Sequence, residues 1–227
     1  MNFLSHHHVA RLAEGKDAPP AFYVGNVLPD LLSMEPGGGR LRAVHLAGAT
    51  GDIARGARLH LAADRAFHAA PAFHEATADV SARLRAASFS APPPRVFFLA
   101  HVFVELALDA VLLGRDPTLA EHFYAQFNDV NVQVVADEAA ALARRPLPRL
   151  AATLARFARA RYLFDYATAE GLARALSRVV YRANLAAFAA TDADHRCLAA
   201  IFTDWEARAA VVGPALWKVP PAAPVVI

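Results

Sequence analysis

Cysteine is nearly absent from this 227-residue chain. The single Cys197 excludes an internal disulfide and any cysteine-based zinc knuckle, which leaves histidine, aspartate and glutamate as the side chains able to ligate a metal. Lysine is scarce as well: Lys16 and Lys218 are the only two among 23 basic residues, and the arginines are scattered along the chain rather than gathered into a block. With a formal charge of +2 and a pI near 8.9, that distribution carries no nucleic-acid footprint. No apolar run of about 18 residues is free of acids, so no transmembrane segment is expected. The start, Met1-Asn2-Phe3-Leu4-Ser5-His6-His7-His8, lacks the basic residues, long apolar run and small-residue cleavage site of a signal peptide. The expectation is a cytoplasmic protein in a reducing compartment. Alternating strand-like segments are also missing, which points to the all-α class.

The chain is 56% hydrophobic, enough for a sizeable core, and reads as one compact multi-helix domain over residues 1–218. Prolines and glycines divide it into about eight to ten helices around a central buried one. Helices are expected over 2–14, 22–32, 53–69, 71–87, 97–113, 119–144, 147–160, 167–189 and 192–212, with a short one at 41–46. Pro36-Gly37-Gly38-Gly39 marks a break, Gly114 with Pro117 stops the central helix, and the proline-rich 219–227 reads as an extended tail. Residues 1–114 hold the candidate metal site. Residues 115–218, with ordinary amphipathic spacing, read as packing helices, and a homodimer is compatible with the apolar tail.

Two stretches set acids and histidines four residues apart: His60, Asp64 and His68, then His101, Glu105 and Asp109. Positions i, i+4 and i+8 share one helix face, so each triplet is a stripe of potential ligands. The second stripe interrupts a segment from Phe97 to Leu113 in which every other residue is apolar, and such a helix is buried all round. Buried carboxylates need a positive or hydrogen-bonding neighbour, and a metal held by His and carboxylates from several helices supplies one. His6, His8, Asp30 and His45 add to the stock, sufficient for two or three divalent ions, zinc or manganese. Such an ion lowers the pKa of a bound water and steadies an in-line attack on phosphorus. Arg58 and Arg65 are candidates to hold the phosphate.

Plainer readings stand beside this one. Of His6, His7 and His8 only one or two can face inward, because adjacent helical positions point apart. His60 and Asp64 could form a solvated pair beside Arg58 and Arg65, and His68 and His74 could be satisfied, partly buried histidines. His122 and His195 read as structural. All the acids and histidines together could form a buried hydrogen-bond network in a non-catalytic scaffold.

The start Met1-Asn2-Phe3-Leu4-Ser5-His6-His7-His8-Val9-Ala10, then Gly25-Asn26-Val27-Leu28-Pro29-Asp30, then His60-Leu61-Ala62-Ala63-Asp64-Arg65-Ala66-Phe67-His68 with Pro71, resemble bacterial acyl carrier protein phosphodiesterase over about the first 110 residues. That family is similar to the all-helical HD-domain metal phosphohydrolases. The resemblance implies removal of the phosphopantetheine arm from acyl carrier protein with a divalent metal, and implies His6, Asp30, His60 and Asp64 as site residues; of these, Asp30 and Asp64 are the expected catalytic groups. The central helix departs from the family pattern, having His101, Glu105 and Leu106, and the chain contains no His-Asp doublet. The series Asp30, His45, His60 with Asp64, His101 with Glu105 is also similar to the zinc-dependent phospholipase C and single-strand nuclease superfamily. That likeness implies a third ion and a role for His45.

Overall fold

The apolar segment in the middle of the chain forms α6 (Val96–Arg115), and several of the other helices pack against it. In the computed structural model, which describes residues 1–35, 39–185, 188 and 191–221, α6 buries Leu99, Ala100, Phe103, Val104 and Leu106 to Asp109. Among the described residues it is the one helix long and apolar enough to cross a bilayer, and 61% of that stretch is buried inside the protein. Its neighbours are α1 (Phe3–Glu14), α5 (Pro71–Ala86), α10 (Ala169–Arg182), α11 (Asp192–Leu216) and a 3-10 turn, Tyr162–Ala167. Phe103 stacks on Phe202 of α11 with centroids 3.7 Å apart, and the Trp205 indole N–H donates to Asp79 of α5 at 2.8 Å.

The second organising contact is between α2 (Pro20–Ser33) and α4 (Asp52–Ala69). Two glycines make it possible. A Cβ on Gly25 would stand 2.4 Å from the Ile53 carbonyl oxygen, and one on Gly56 would stand 2.0 Å from that of Phe22. The backbones therefore touch directly, an approach no side chain would permit. Pro20 and Pro71 sit at the first turns of α2 and α5, where a missing N–H costs nothing. Pro29 lies inside α2, which continues past it to Ser33, so Asp30 stands in the last turn of a helix.

The described residues contain only helices and connecting segments, in agreement with the all-α expectation. There are eleven α-helices and one 3-10 turn, more than the eight to ten anticipated. The expected helix over 119–144 is two, α7 (Leu119–Asn128) and α8 (Val132–Ala143). Asn131 divides them, its side-chain oxygen accepting the N–H groups of Gln133 and Val134 at 2.9 and 3.3 Å as an N-cap. Helix α9 (Leu150–Ala160) and a short α3 (Ala43–Leu46) complete the set. The helix anticipated to reach residue 189 ends at Arg182, whereas α11 extends beyond 212 to Leu216, through Pro214. Most of the expected break, residues 36–38, and of the extended tail, residues 222–227, lies outside the described residues, as do 186, 187, 189 and 190.

Candidate metal centre

Four helices converge on one cluster. Helix α4 presents His60, Asp64 and His68 along one face, α6 presents His101 and Glu105, α1 contributes His6 and α2 contributes Asp30. His6 and His60 stack with ring centroids 3.8 Å apart. His60 donates from Nδ1 to the Asn26 carbonyl at 2.8 Å, which leaves Nε2 bare and 3.7 Å from Asp30 Oδ1. A backbone carbonyl fixing the tautomer in this way is how proteins orient a ligating imidazole. The Asn26 amide, oriented to satisfy both its ends, donates to the His6 carbonyl at 2.8 Å and accepts the His60 backbone N–H at 3.3 Å. His6 Nε2 lies 3.9 Å from Asp30 Oδ2 and 3.7 Å from Asp64 Oδ1, and neither ring nitrogen has a hydrogen-bond partner although the residue is fully buried. An orphaned buried polar group normally costs about 1–3 kcal/mol, so its persistence calls for a ligand or a function. His6, His60 and Asp64 each offer an atom within 4.8 Å of the others, a set that could hold a cation.

A second group lies on the far side of Asp64. His68 Nε2 is 3.1 Å from His101 Nε2 and 3.2 Å from Glu105 Oε1, and His101 Nε2 is 3.1 Å from the same oxygen. The three atoms mark a nearly equilateral triangle. Tetrahedral zinc with N and O ligands at about 2.0–2.1 Å spaces its ligands about 3.3 Å apart, so the triangle has the dimensions of one face of such a site. His68 Nδ1 lies 3.4 Å from Asp64 Oδ2, linking the two groups.

Charge in the cluster is balanced from an unforeseen direction. The Met1 ammonium sits between the groups, 2.6 Å from Asp64 Oδ1 and 3.1 Å from Glu105 Oε1. Burial would lower its pKa, but Glu105 and Asp64 raise it to about 10. Burial works against ionised Asp64 and Glu105 too, yet the ammonium and adjacent histidines hold both well below the usual carboxylate range. His68 resists its own burial through Asp64 and Glu105 and rises to about 9. Burial dominates at His6, lowered to about 4, and at His60, also lowered. At Asp30, burial and then the nearby Asp64 and Glu105 outweigh the ammonium and push the carboxyl up to about 8. The cluster thus combines two firm anions, two neutral imidazoles and a carboxyl that keeps its proton near neutral pH.

The cluster forms part of the wall of a cavity of about 760 Å³. Met1, Asp30 and Glu105 line one part; Met34, Phe98, Val102, Leu106, Tyr162 and Tyr166 make an apolar body; residues of α10 close another side.

The structure therefore brings together His6, Asp30, His60, Asp64, His68, His101 and Glu105. It does not bring His45, which lies in α3 and accepts the Arg42 N–H at its Nδ1, 3.2 Å away. Arg58 is turned to the end of α3 and the loop that follows, donating to the carbonyls of Leu46 and Ala49 at 3.2 and 2.8 Å. Arg65 is exposed, one residue and so about 100° of helix beyond Asp64. Asp109, third in its stripe, faces the start of α1. His7 is buried against Tyr23 and Phe123, His8 packs on Trp217, and His74 is exposed beside Phe73. Pattern reasoning missed the Met1 ammonium, Asn26 and the cavity-lining His195. Only Asn26, a polar residue inside the apolar Val24-Gly25-Asn26-Val27-Leu28, carried a signal in the sequence.

No curated protein and no solved structure gave a significant match to the chain. A family model described as acyl carrier protein phosphodiesterase matches residues 1–205. That span takes in both ligand groups, every cavity-lining residue and all elements from α1 into α11. The chain belongs to the acyl carrier protein phosphodiesterase family.

Proposed function

We propose that this protein is a metal-dependent phosphodiesterase that hydrolyses the phosphoester joining the phosphopantetheine arm to acyl carrier protein. The observation that carries the reading is the meeting of two His/carboxylate groups, from α1, α4 and α6, beside a cavity that Glu105 and the neighbouring Asp30 line. One group is His6, His60 and Asp64, with Asp30 beside them; the other is His68, His101 and Glu105. The chemistry of these donors suits zinc or manganese, and the unpartnered nitrogens of His6 are the kind of atoms a cation would engage. When bound, a divalent ion would supply an acidified water and positive charge for the phosphate oxygens.

The chain's own residues do the rest. Asp64 and Glu105, ionised, hold positive charge between the groups. His60, fixed by the Asn26 carbonyl, keeps its lone pair on the side of Asp30. Asp30 holds a proton near neutral pH and delivers it to the carrier oxygen as the phosphorus–oxygen bond breaks. Phe98, Val102 and Leu106 limit water around the arm.

The test is to incubate the protein with the phosphopantetheinylated carrier and follow loss of the arm by mass spectrometry, with and without chelator. Activity that needs zinc or manganese and disappears in Asp64→Ala supports the reading; activity indifferent to both overturns it. One observation favours a second reading. The Met1 ammonium already neutralises Asp64 and Glu105, as a metal-free scaffold would require. Under that reading, metal leaves the melting temperature unchanged.

A further inference from the structure

Helix α10 carries Arg174, Arg178 and Arg182 at successive i, i+4 positions, and all three are exposed at the rim of the cavity. Like charges at this spacing repel and weaken a helix. Arg178 is eased by Asp165 at 3.2 Å and lies over the Tyr162 ring. Arg174 and Arg182 have no ion-pair or hydrogen-bond partner among the described residues. The one acid on α10 is Glu170. Between the arginines stands Tyr181, 84% exposed, which also lines the cavity. Arginine and tyrosine are the side chains that concentrate at protein interfaces. The two unneutralised guanidinium groups, Arg174 and Arg182, flanking Arg178, gain nothing from the fold, but they would repay their repulsion against an acidic surface.

We infer that the exposed Arg174, Arg178 and Arg182 face of α10, with Tyr181, is a docking surface for a protein presenting a carboxylate-rich face, so that the partner's phosphorylated arm enters the cavity below. The inference rests on the proposed hydrolysis only in naming that partner as the acyl carrier protein. It assigns to α10 the part of recognition that the buried cluster cannot perform. The apolar body of the cavity receives the arm, whereas the arginines meet the body of the carrier. Guanidinium groups at this exposure act mainly through charge, steering the encounter and weakening as salt rises.

The experiment is a binding titration of fluorescently labelled acyl carrier protein without its arm, using the full chain. It compares wild type, Arg174→Glu/Arg182→Glu and Arg174→Lys/Arg182→Lys. The inference expects Kd to rise at least tenfold in the Glu pair, to stay within about threefold of wild type in the Lys pair, and to rise with salt in wild type. The melting temperature of each variant, within about 2 °C of wild type, shows that the fold is kept. An unchanged Kd in the Glu pair, or no carrier binding by wild type, overturns it. So does binding to vesicles rich in anionic lipid that the Glu pair loses while carrier binding persists, because the arginines would then be a membrane contact. Carrier binding that needs the arginines without any removal of the arm would defeat the proposed hydrolysis alone.

Discussion

Asp109 and Ser5 are joined twice: the carboxylate accepts the Ser5 backbone N–H at 2.8 Å and the Ser5 hydroxyl at 2.7 Å. It also accepts the Leu4 N–H at 2.9 Å. The first turn of α1 has no side-chain cap from Asn2, so α6 supplies the cap from within the core. Ser5 in turn accepts the Trp217 indole N–H at 3.2 Å, drawing the end of the described chain to its beginning.

Removing that cap leaves buried donors unsatisfied. Asp109→Ala should lower the unfolding free energy by about 3 kcal/mol, read from the urea midpoint at unchanged m. Because His6 is the next residue after Ser5, the variant should also lose metal retained by the first group, measured by elemental analysis.

The glycine crossing of α2 and α4 gives a second prediction. Gly56→Ala places a methyl 2.0 Å from the Phe22 carbonyl, and backbone on both sides has little room to retreat. A loss of about 2–3 kcal/mol is expected. The shift should separate Asp30 from His60 and cost turnover, whereas Gly114→Ala, where the added methyl meets open space inside α6, should leave stability and turnover at or slightly above wild type.

Asp194 contributes to the acid limb of stability, alongside the depressed Asp64 and Glu105. It accepts the Ser90 N–H at 2.7 Å, the Ser90 hydroxyl at 2.5 Å and the Thr191 N–H at 3.2 Å, while Thr191 accepts the Asp194 N–H at 3.1 Å in a capping box at the start of α11. Burial would raise its pKa, but the hydrogen bonds from Ser90 and Thr191 lower it to about 2, against 3.8 unperturbed. A depressed carboxylate stabilises the fold above its unfolded pKa and loses that contribution as pH falls through the folded one. Asp194→Asn should therefore be less stable than wild type by about 1–2 kcal/mol at pH 7. The difference should shrink between about pH 4 and pH 2 in denaturant titrations.

Metal binding should be coupled to protons. His68, raised to about 9, must give up a proton before its nitrogen can ligate. Apparent affinity for zinc or manganese is expected to rise with pH up to about 9, with proton release visible as a buffer-dependent heat in calorimetry. Both ions should raise the melting temperature of wild type, a hundredfold excess over Kd adding about 2.7 kcal/mol. Glu105→Ala should lose the metal of the second group and His60→Ala that of the first.

Much of this geometry is legible in the sequence for a simple reason. His60, Asp64 and His68 repeat at the helical period, and the apolar run around His101 and Glu105 admits no solvated face for them. The helix start at Pro71 follows from local chemistry in the same way, whereas α2 begins at Pro20, two residues before the expected start at 22. What the sequence hides is long-range. The ammonium between Asp64 and Glu105, and the turning of Asp109 to α1 rather than to the cluster, depend on where α1 lands on α6. The division at Asn131 is hidden differently, because an Asn within an amphipathic pattern marks a cap only once its neighbours' N–H groups are seen to turn toward it. The Gly25 and Gly56 crossing reads in sequence as two isolated helical glycines; only the facing carbonyls show that each is required.

The cavity wall is assembled from both halves of the chain, with Asp30 and Glu105 from one and Arg174, Arg178 and Tyr181 from the other. On the proposed reading, bond breaking and partner choice fall in separate stretches of polypeptide. The halves are nevertheless joined through α6 against α10 and α11 and through Trp217 to Ser5, so a chimera that keeps residues 1–114 and imports the rest from a relative should change which molecule it serves only if those contacts are kept.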